Sequence, residues 1–346
     1  MNARSAVSDA LRHATARLPD LLAPGKQLVV GYSGGQDSTC LLHALAQRGL
    51  DVLAVHVDHG LRAESAADAA RVAENAARLA AECRVVRVDV LASGRGVQAA
   101  ARAARYQALA EVVGQVRGEA LLMAHTADDQ AETVLLNLLR GTGLAGLAGM
   151  RMDERRGNLR VARPLLRLER RITLAYCQEL GLPVVEDISN QSRRYTRNRV
   201  RLDLMPALET FNPAIRTVLA RLADLVAEDE AALAHEAAAV QVLLARQAEP
   251  GSLAYDRTGW RAQPRAVQRR VLRLGLHQLL GALIDVPAAP IEDALDLLQS
   301  TRGCQAYHLP GGIELRTAEA DFVLRLHGRA RAPTRPKSWG IGPPCV

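Results

Sequence analysis

The chain has 346 residues, 49% of them hydrophobic and only 3% aromatic, with a formal net charge of +7. That length suggests two domains or three small ones, with apolar content for a sizeable core, and the alanine- and leucine-rich composition leans toward helices packed on a sheet. Five scattered cysteines (Cys40, Cys83, Cys177, Cys304, Cys345) form no C-x-x-C pair, which argues against a zinc ribbon, an iron–sulfur cluster or a disulfide framework and fits a reducing cytoplasm. No signal-peptide pattern or apolar run of about 18 residues occurs, so neither secretion nor a membrane span is expected. The positive balance hints at a polyanion partner.

Residues 4–18 place Val7, Leu11, Ala14 and Leu18 at helical spacing and read as a short amphipathic helix. Lys26 to Tyr32 is a first strand. It runs into Ser33-Gly34-Gly35-Gln36-Asp37-Ser38, and then Thr39 to Leu45 reads as helix. Two adjacent glycines let backbone N–H groups turn toward a ligand without Cβ clashes, and the helix N-terminus adds partial positive charge. Strand, glycine turn and helix start therefore make a phosphate cradle. It lacks the Walker lysine and does not fit G-x-G-x-x-G. An aspartate is out of place in an anion site unless a divalent cation lies between Asp37 and the phosphates; the plainer reading is a glycine turn with an N-capping Ser or Asp.

Asp51 to Val57 is a second, mostly apolar strand, closed by His56-Val57-Asp58-His59-Gly60-Leu61-Arg62. Helix over 64–82, strand over Arg84–Val90, helix over Val97–Val113, strand over Ala120–Ala124 and helix over Thr126–Leu139 follow. Such alternation predicts an α/β sheet with parallel strands. Ligands bind beyond the carboxyl ends of such strands. The loop at Ser33–Ser38, the stretch at His56–Arg62 and the stretch at His125–Glu132 all begin at such ends.

The glycine-rich run from Arg140 to Gly149 reads as a mobile loop bordering the site. Leu159–Arg163 is extended, and a helix spans about Glu169 to Leu180. The polar stretch Glu186–Arg201 holds Arg193, Arg194, Arg197, Arg199 and Arg201 around Tyr195, which suits a phosphate backbone, a solvated basic face being the plainer alternative. Pro213 opens a long helix to about Arg246. Beyond it come helices at Pro264–Leu280 and Ile291–Gln299, a hairpin Gln305–Leu309 and Ile313–Arg316 turning at Pro310-Gly311-Gly312, and a strand Phe322–Leu326. Residues 329–346 read as a disordered tail.

SGGQDS after a strand, HVDHGLR at 56–62, HTADDQAET at 125–133, Arg163-Pro164-Leu165, Asp187-Ile188-Ser189-Asn190, Arg197-Asn198 and Met205-Pro206 together resemble the tRNA(Ile)-lysidine synthetase family, a branch of the PP-loop ATP pyrophosphatases, in its shorter form. The resemblance is dense over 25–215 and looser beyond. It implies an α/β fold: a parallel-sheet PP-loop, adenine nucleotide alpha hydrolase-like, Rossmann-type catalytic domain over 1–212. A long linker helix over 213–247 and a small α+β, tRNA-binding C-terminal domain over 248–328 would follow.

The implied reaction has two steps. ATP adenylates the C2 oxygen of the wobble cytidine in the CAU anticodon of tRNA(Ile), releasing pyrophosphate; the ε-amine of free L-lysine then attacks C2 and expels AMP. On this reading Ser33, Gly34, Gly35, Gln36, Asp37 and Ser38 bind ATP with His56, Arg102 and His125, and Asp37 carries Mg2+. Arg102 and Arg105 share a helix face, and Arg105 is the better placed to neutralise the α-phosphate. Asp129 and Glu132, also on one face, would receive the lysine ammonium by charge-assisted hydrogen bonds. Asp128 lies off that face and is expected to cap the helix or hold a neighbour. Arg193, Arg194, Arg197, Asn198 and Arg201 are the candidate tRNA contacts. His56, Asp58 and His59 alternate faces on a strand, so at most two could share a ligand and a zinc site is not expected. A homodimer through the large domain comes from the resemblance alone. Another tRNA-modifying PP-loop enzyme is the alternative, but a thiolase would be expected to show paired cysteines.

Overall fold

The computed structural model describes residues 2–23, 25–58, 65–79, 81–88, 97–185, 193, 195–281, 287–300 and 303–327. The expectations for His59 to Arg62, Asp187 to Asn190, Arg194 and the tail at 329–346 fall outside these residues. The chain divides into two units, Met1–Ala227 and Glu228–Val346.

The first unit follows the alternation read from the sequence: α1 (Ala3–Arg17), β1 (Gln27–Gly31), α2 (Gln36–Ala46), β2 (Asp51–Asp58), α3 (Ser65–Arg78), β3 (Glu82–Arg87), α4 (Val97–Gln115), β4 (Ala120–Met123) and α5 (Ala127–Leu139). Next come α6 (Leu144–Leu147), β5 (Asp153–Arg156), β6 (Leu159–Ala162), α7 (Arg170–Glu179), α8 (Thr196–Arg199), a π-helical turn Val200–Leu204 and α9 (Met205–Phe211). Helix α10 (Ile215–Leu244) begins in this unit and continues into the second.

The six strands lie in the order β3-β2-β1-β4-β6-β5. All neighbours are parallel except β5, which pairs antiparallel with β6. The chain winds from β1 outward to β3 and then returns to β4 on the other side of β1. Order reverses between β1 and β4, and in sheets of this kind ligands bind beyond the carboxyl ends at such a reversal.

Alternate residues of the strands serve opposite faces. Leu28 and Val30 join Leu41, Leu42 and Leu45 of α2 in one core, while Val29, Leu53 and Leu121 join Leu109 and Val112 of α4 in the other. Each such leucine or valine contributes roughly 1.5–3 kcal/mol on burial. These two cores hold β1 and β4 rigid from both sides, so the loops at their ends have a fixed base.

Three local features depart from expectation. The run at 140–149 is not a free loop: it contains α6 and is fastened to α5, where Gln130 Nε2 donates to Met150 O (2.9 Å), Met150 N donates to Gln130 Oε1 (2.8 Å), and Asn137 Nδ2 donates to Gly146 O (2.7 Å). Strand β5 was unforeseen, because Asp153-Glu154-Arg155-Arg156 is charged throughout and has only an edge to occupy. The stretch expected to be irregular up to Arg201 is helical from Thr196, and its π-turn leads straight into α9.

In the second unit β7 (Ala245–Arg246), β8 (Ser252–Asp256), β9 (Gln305–Leu309), β10 (Ile313–Thr317) and β11 (Asp321–Leu326) form an antiparallel sheet ordered β7-β8-β11-β10-β9. Helices α11 (Arg257–Arg261), α12 (Arg265–Leu280) and α13 (Ala288–Gln299) complete it. Trp260, Leu272, Leu295, Leu315 and Phe322 make its core. The β9–β10 turn uses Gly311 and Gly312 at φ +83° and +76°, conformations that side chains disfavour. No helix among the described residues is long and apolar enough to cross a membrane.

Candidate functional site

The glycine loop lies where β1 ends, on the reversal point of the sheet. Gly34 has φ +79°, and a Cβ there would meet Val72 Cγ2 at 2.9 Å, so both conformation and space demand glycine. Its carbonyl accepts from Val185 N (2.9 Å) and from Thr39 Oγ1 (3.2 Å). Ser38 Oγ donates to Gly35 O (2.9 Å) and lies 3.2 Å from Ser33 Oγ. The bend is thus cross-braced by its own hydroxyls. Gly35 is the N-cap of α2 and supplies no side-chain cap. The first-turn amides of α2 therefore face the mouth of the loop with their partial positive charge.

Asp37, in that first turn, points at α7. Thr173 Oγ1 donates to its Oδ1, and Arg170 Nε donates to its Oδ2 at 3.1 Å. Burial pushes the Asp37 carboxyl above the ordinary range, and Arg170 and Thr173 offset only part of that.

Helix α5 starts where β4 ends, with Thr126 as N-cap. Asp129 Oδ2 reaches back to accept from Thr126 N and Thr126 Oγ1, both at 3.0 Å, which locks the carboxylate. Its Oδ1 accepts from Arg170 Nη2 (2.8 Å) and Arg197 Nη2 (3.1 Å). Burial works against ionisation of Asp129, but the charges of Arg170 and Arg197, with the Thr126 N–H, outweigh it and hold the carboxyl well below the usual range. One turn on, Glu132 is fully buried and accepts from Arg197 Nε (3.0 Å) and from Arg201 Nε (2.6 Å) and Nη2 (3.1 Å). Arg170 Nη1 stands 3.7 Å from it. Asp128 faces another way: it accepts from the backbone N of Arg170 (2.7 Å) and from Arg216 Nη1 (3.1 Å). Asp37, Asp129 and Glu132 are thereby matched by Arg170, Arg197 and Arg201 in one network, buried at Asp129 and Glu132 and half-buried at the rest.

The spacing of the arginines follows from local structure. Arg197 and Arg201 are one helical turn apart, so both side chains meet Glu132. Val200 and Met205 pack on Ala131, Val134 and Leu135, which presses the α8–α9 segment against α5.

His125 follows the end of β4, just before the N-cap of α5. Its Nδ1 is buried without a hydrogen-bond partner among the described residues. Burial, with Arg163, Arg102 and Arg197 adding their charge, pushes its pKa down to about 3 against the pull of Asp129, so the ring stays neutral. His56 Nδ1 lies 3.0 Å from Tyr32 O, to which the ring donates. On α4, the Arg102 guanidinium lies 5.2 Å from the centroid of the Tyr106 ring, and Arg156 of β5 lies 4.6 Å from it. Burial, then the like charges of Arg156, Arg197 and Arg105, lowers the Arg102 value. Two guanidinium groups, from α4 and β5, thus share the Tyr106 ring.

The grouping by contact differs from the grouping read in the sequence. Arg197 and Arg201, expected on the tRNA face, turn inward to Asp129 and Glu132. Arg193 is exposed and pairs with Asp203 at 2.9 Å. Asn198 is half-buried. Asp128 does hold neighbours, as its place off the shared face suggested. Arg170, Thr173 and Arg216 were not singled out at all: Glu169-Arg170-Arg171 reads locally as a solvated charged turn, and Arg170 lies 133 positions from Asp37. Among the described residues no group of three or more His, Cys, Asp or Glu side chains is placed to hold a metal ion.

Residues 7–208 match the PP-loop domain family. The tRNA(Ile)-lysidine synthase of Salinispora tropica is 43% identical over 335 residues, covering 95% of this chain and 96% of that protein. The tRNA(Ile)-lysidine synthase of Thermosynechococcus vestitus is 37% identical over 309 residues, 88% of each. Among solved structures, the U34-tRNA thiolase NcsA from Methanococcus maripaludis superposes with a TM-score of 0.53 at 19% identity, over 64% of this chain and 79% of its own; at that identity the likeness is one of fold.

Proposed function

The chain belongs to the tRNA(Ile)-lysidine synthase family of PP-loop enzymes, and on that premise we infer that it ligates L-lysine to C2 of the wobble cytidine in the CAU anticodon of tRNA(Ile), at the expense of ATP. The cytidine would then pair with A in place of G. One observation carries the assignment to this site: the glycine loop and the acidic pair share a single arginine at the reversal point of the sheet.

In the first step the Ser33–Ser38 loop and the amides of α2 take up the charge of the departing pyrophosphate. Asp37 is the carboxylate beside that loop. Magnesium bound with a nucleotide keeps waters and phosphate oxygens and needs only one or two carboxylates, so a lone Asp37 fits it. Such an ion, when bound, supplies positive charge to the phosphates. Arg102 and Arg105 share helix α4, and on this reading Arg105 balances the α-phosphate while the cytidine oxygen attacks. His125, neutral and with a buried nitrogen facing no described partner, contacts the nucleotide.

In the second step Asp129 and Glu132 receive the amino acid's ammonium group. Three guanidinium groups already converge on these two acids, so lysine enters by exchange with a contact of Arg197 or Arg201. The attacking amine must be neutral, and a carboxylate or a water takes its proton. Arg193, Arg194 and Asn198, with the second unit, are assigned to the tRNA. The cytoplasm as its location, and a homodimer through the larger unit, complete the reading.

The test is incubation of the purified protein with ATP, labelled lysine and a tRNA(Ile) transcript bearing CAU. Incorporation of lysine with release of AMP and pyrophosphate is the expected result. Release of AMP without incorporated lysine would replace this assignment with another PP-loop modification.

A further inference from the structure

Arg170 stands at the first position of α7 and joins more of the site than any residue read from the sequence. Its Nε donates to Asp37 at 3.1 Å and its Nη2 to Asp129 at 2.8 Å, and its Nη1 lies 3.7 Å from Glu132. Its own backbone is held from both sides: the N–H donates to Asp128 (2.7 Å), and the carbonyl accepts from Gln36 Nε2 (3.2 Å) and Thr173 Oγ1 (2.8 Å). Gln36 belongs to the glycine loop, and Asp128 to the helix of the acidic pair. Burial disfavours the charged guanidinium, yet Asp129, Asp37 and Glu132 raise its value above the ordinary one, so it stays charged throughout.

Charge placement separates Arg170 from its neighbours. Among the described residues, Arg197 and Arg201 form ion pairs with Asp129 and Glu132 and none with Asp37. Arg170 alone, among the described residues, contacts both these acids and Asp37. A guanidinium presents its N–H groups in a fixed plane along separate directions, so one side chain can hold carboxylates on two helices at once. A lysine ammonium in the same place is a point charge on a flexible stem. It would neutralise the cluster without fixing the angle between its members.

We propose that Arg170 is a positioning residue shared by two subsites, holding Asp37 of the nucleotide loop and the Asp129–Glu132 pair of the amino-acid pocket in one rigid unit. It contacts neither reacting bond. It sets where the acid of α2 stands relative to those of α5, and so where the nucleotide stands relative to the amine that must attack after it. A misplacement of about 1 Å at a reacting centre is enough for a loss of about a hundredfold. This rests on the assignment of the two subsites above.

The experiment compares wild type with Arg170→Lys, Arg170→Gln and Arg197→Lys. Pyrophosphate release with ATP and tRNA but no lysine reads the first subsite. The lysine dependence of lysine incorporation reads the second, and the melting temperature reads the fold. Arg170→Lys is expected to raise KM for ATP and KM for lysine tenfold or more each, with the melting temperature within a few degrees of wild type. Arg197→Lys is expected to raise KM for lysine alone. If Arg170→Lys leaves either KM at the wild-type value, or if Arg197→Lys raises both equally, the shared-residue assignment is overturned. Should Arg170→Gln fail to fold, Arg170→Lys, which keeps the charge, still decides. Wild type that releases pyrophosphate but incorporates no lysine would count against the function itself, and the ATP arm would then report on Arg170 separately.

Discussion

Asp37 sits in the first turn of α2, where a negative charge is favoured by the helix dipole yet disfavoured by burial. Thr173 and Arg170 hold it in place. Asp37→Asn keeps the shape and removes the charge that the nucleotide's cation needs. Pyrophosphate release is expected to fall at least a hundredfold while tRNA binding, measured by filter retention, changes less than twofold. Unchanged turnover would remove Asp37 from the reaction. His125 offers a different check, through pH. Its folded pKa is about 3 against 6.5 for the unfolded residue. Between those values the unfolded chain takes up a proton that the folded chain refuses. Stability from this residue is therefore intact above about pH 6.5 and lost as pH falls toward 3. His125→Gln is expected to flatten the decline in melting temperature between pH 6.5 and 4.5 relative to wild type. Parallel declines would mean that the ring is not buried neutral.

At the scale of elements, α5 works as a spine with two duties. One face carries Asp129 and Glu132; a neighbouring face carries Gln130 and Asn137, which pin the 140–149 segment. Gln130 both donates to and accepts from Met150. Gln130→Ala leaves the half-buried N–H and C=O of Met150 without this partner, a cost of roughly 1 kcal/mol each. A melting temperature lowered by several degrees and faster proteolysis between Arg140 and Arg151 are the expected results; an unchanged cleavage pattern would show that α6 and the Asn137 contact hold the segment without Gln130. Gly149 permits this fastening, since its φ is +61° and a Cβ would lie 2.7 Å from Gln130 Oε1. The sequence displayed the glycines but not the glutamine they turn toward. Strands β1, β2 and β4 were legible because apolar runs bounded by glycine or polar residues carry their own signal. So was the loop at Ser33–Ser38, whose chemistry is local. Strand β5 was not, because its reason for being extended is the free edge of β6 and not its own residues. Arg170 was not, because its meaning lies in Asp37 and Asp129, both far away in the chain. Arg197 and Arg201 were legible as arginines, but only the packing of Val200 and Met205 on α5 decides that they turn inward.

Across the whole molecule, a formal charge of +7 is spread over 44 basic and 37 acidic residues, so what matters for a polyanion is which cations remain outward. Arg197 and Arg201 are committed to Glu132 and Asp129. Arg199, between them in sequence, is exposed on the opposite side of the same turn. Each phosphate contact made by an outward cation releases counterions, and the logarithm of the association constant then falls with the logarithm of salt by about 0.7–0.9 per contact. The expectation is that tRNA binding without ATP or lysine weakens steeply from 50 to 200 mM salt. Arg199→Gln should reduce the slope by nearly one contact's worth. Arg197→Gln should leave the slope unchanged, although it disturbs the amino-acid pocket. Filter binding over a salt series distinguishes the two. A slope reduced equally by both substitutions would mean that Arg197 leaves Glu132 as soon as tRNA arrives, so that the charge network of the amino-acid pocket is rebuilt before any lysine enters.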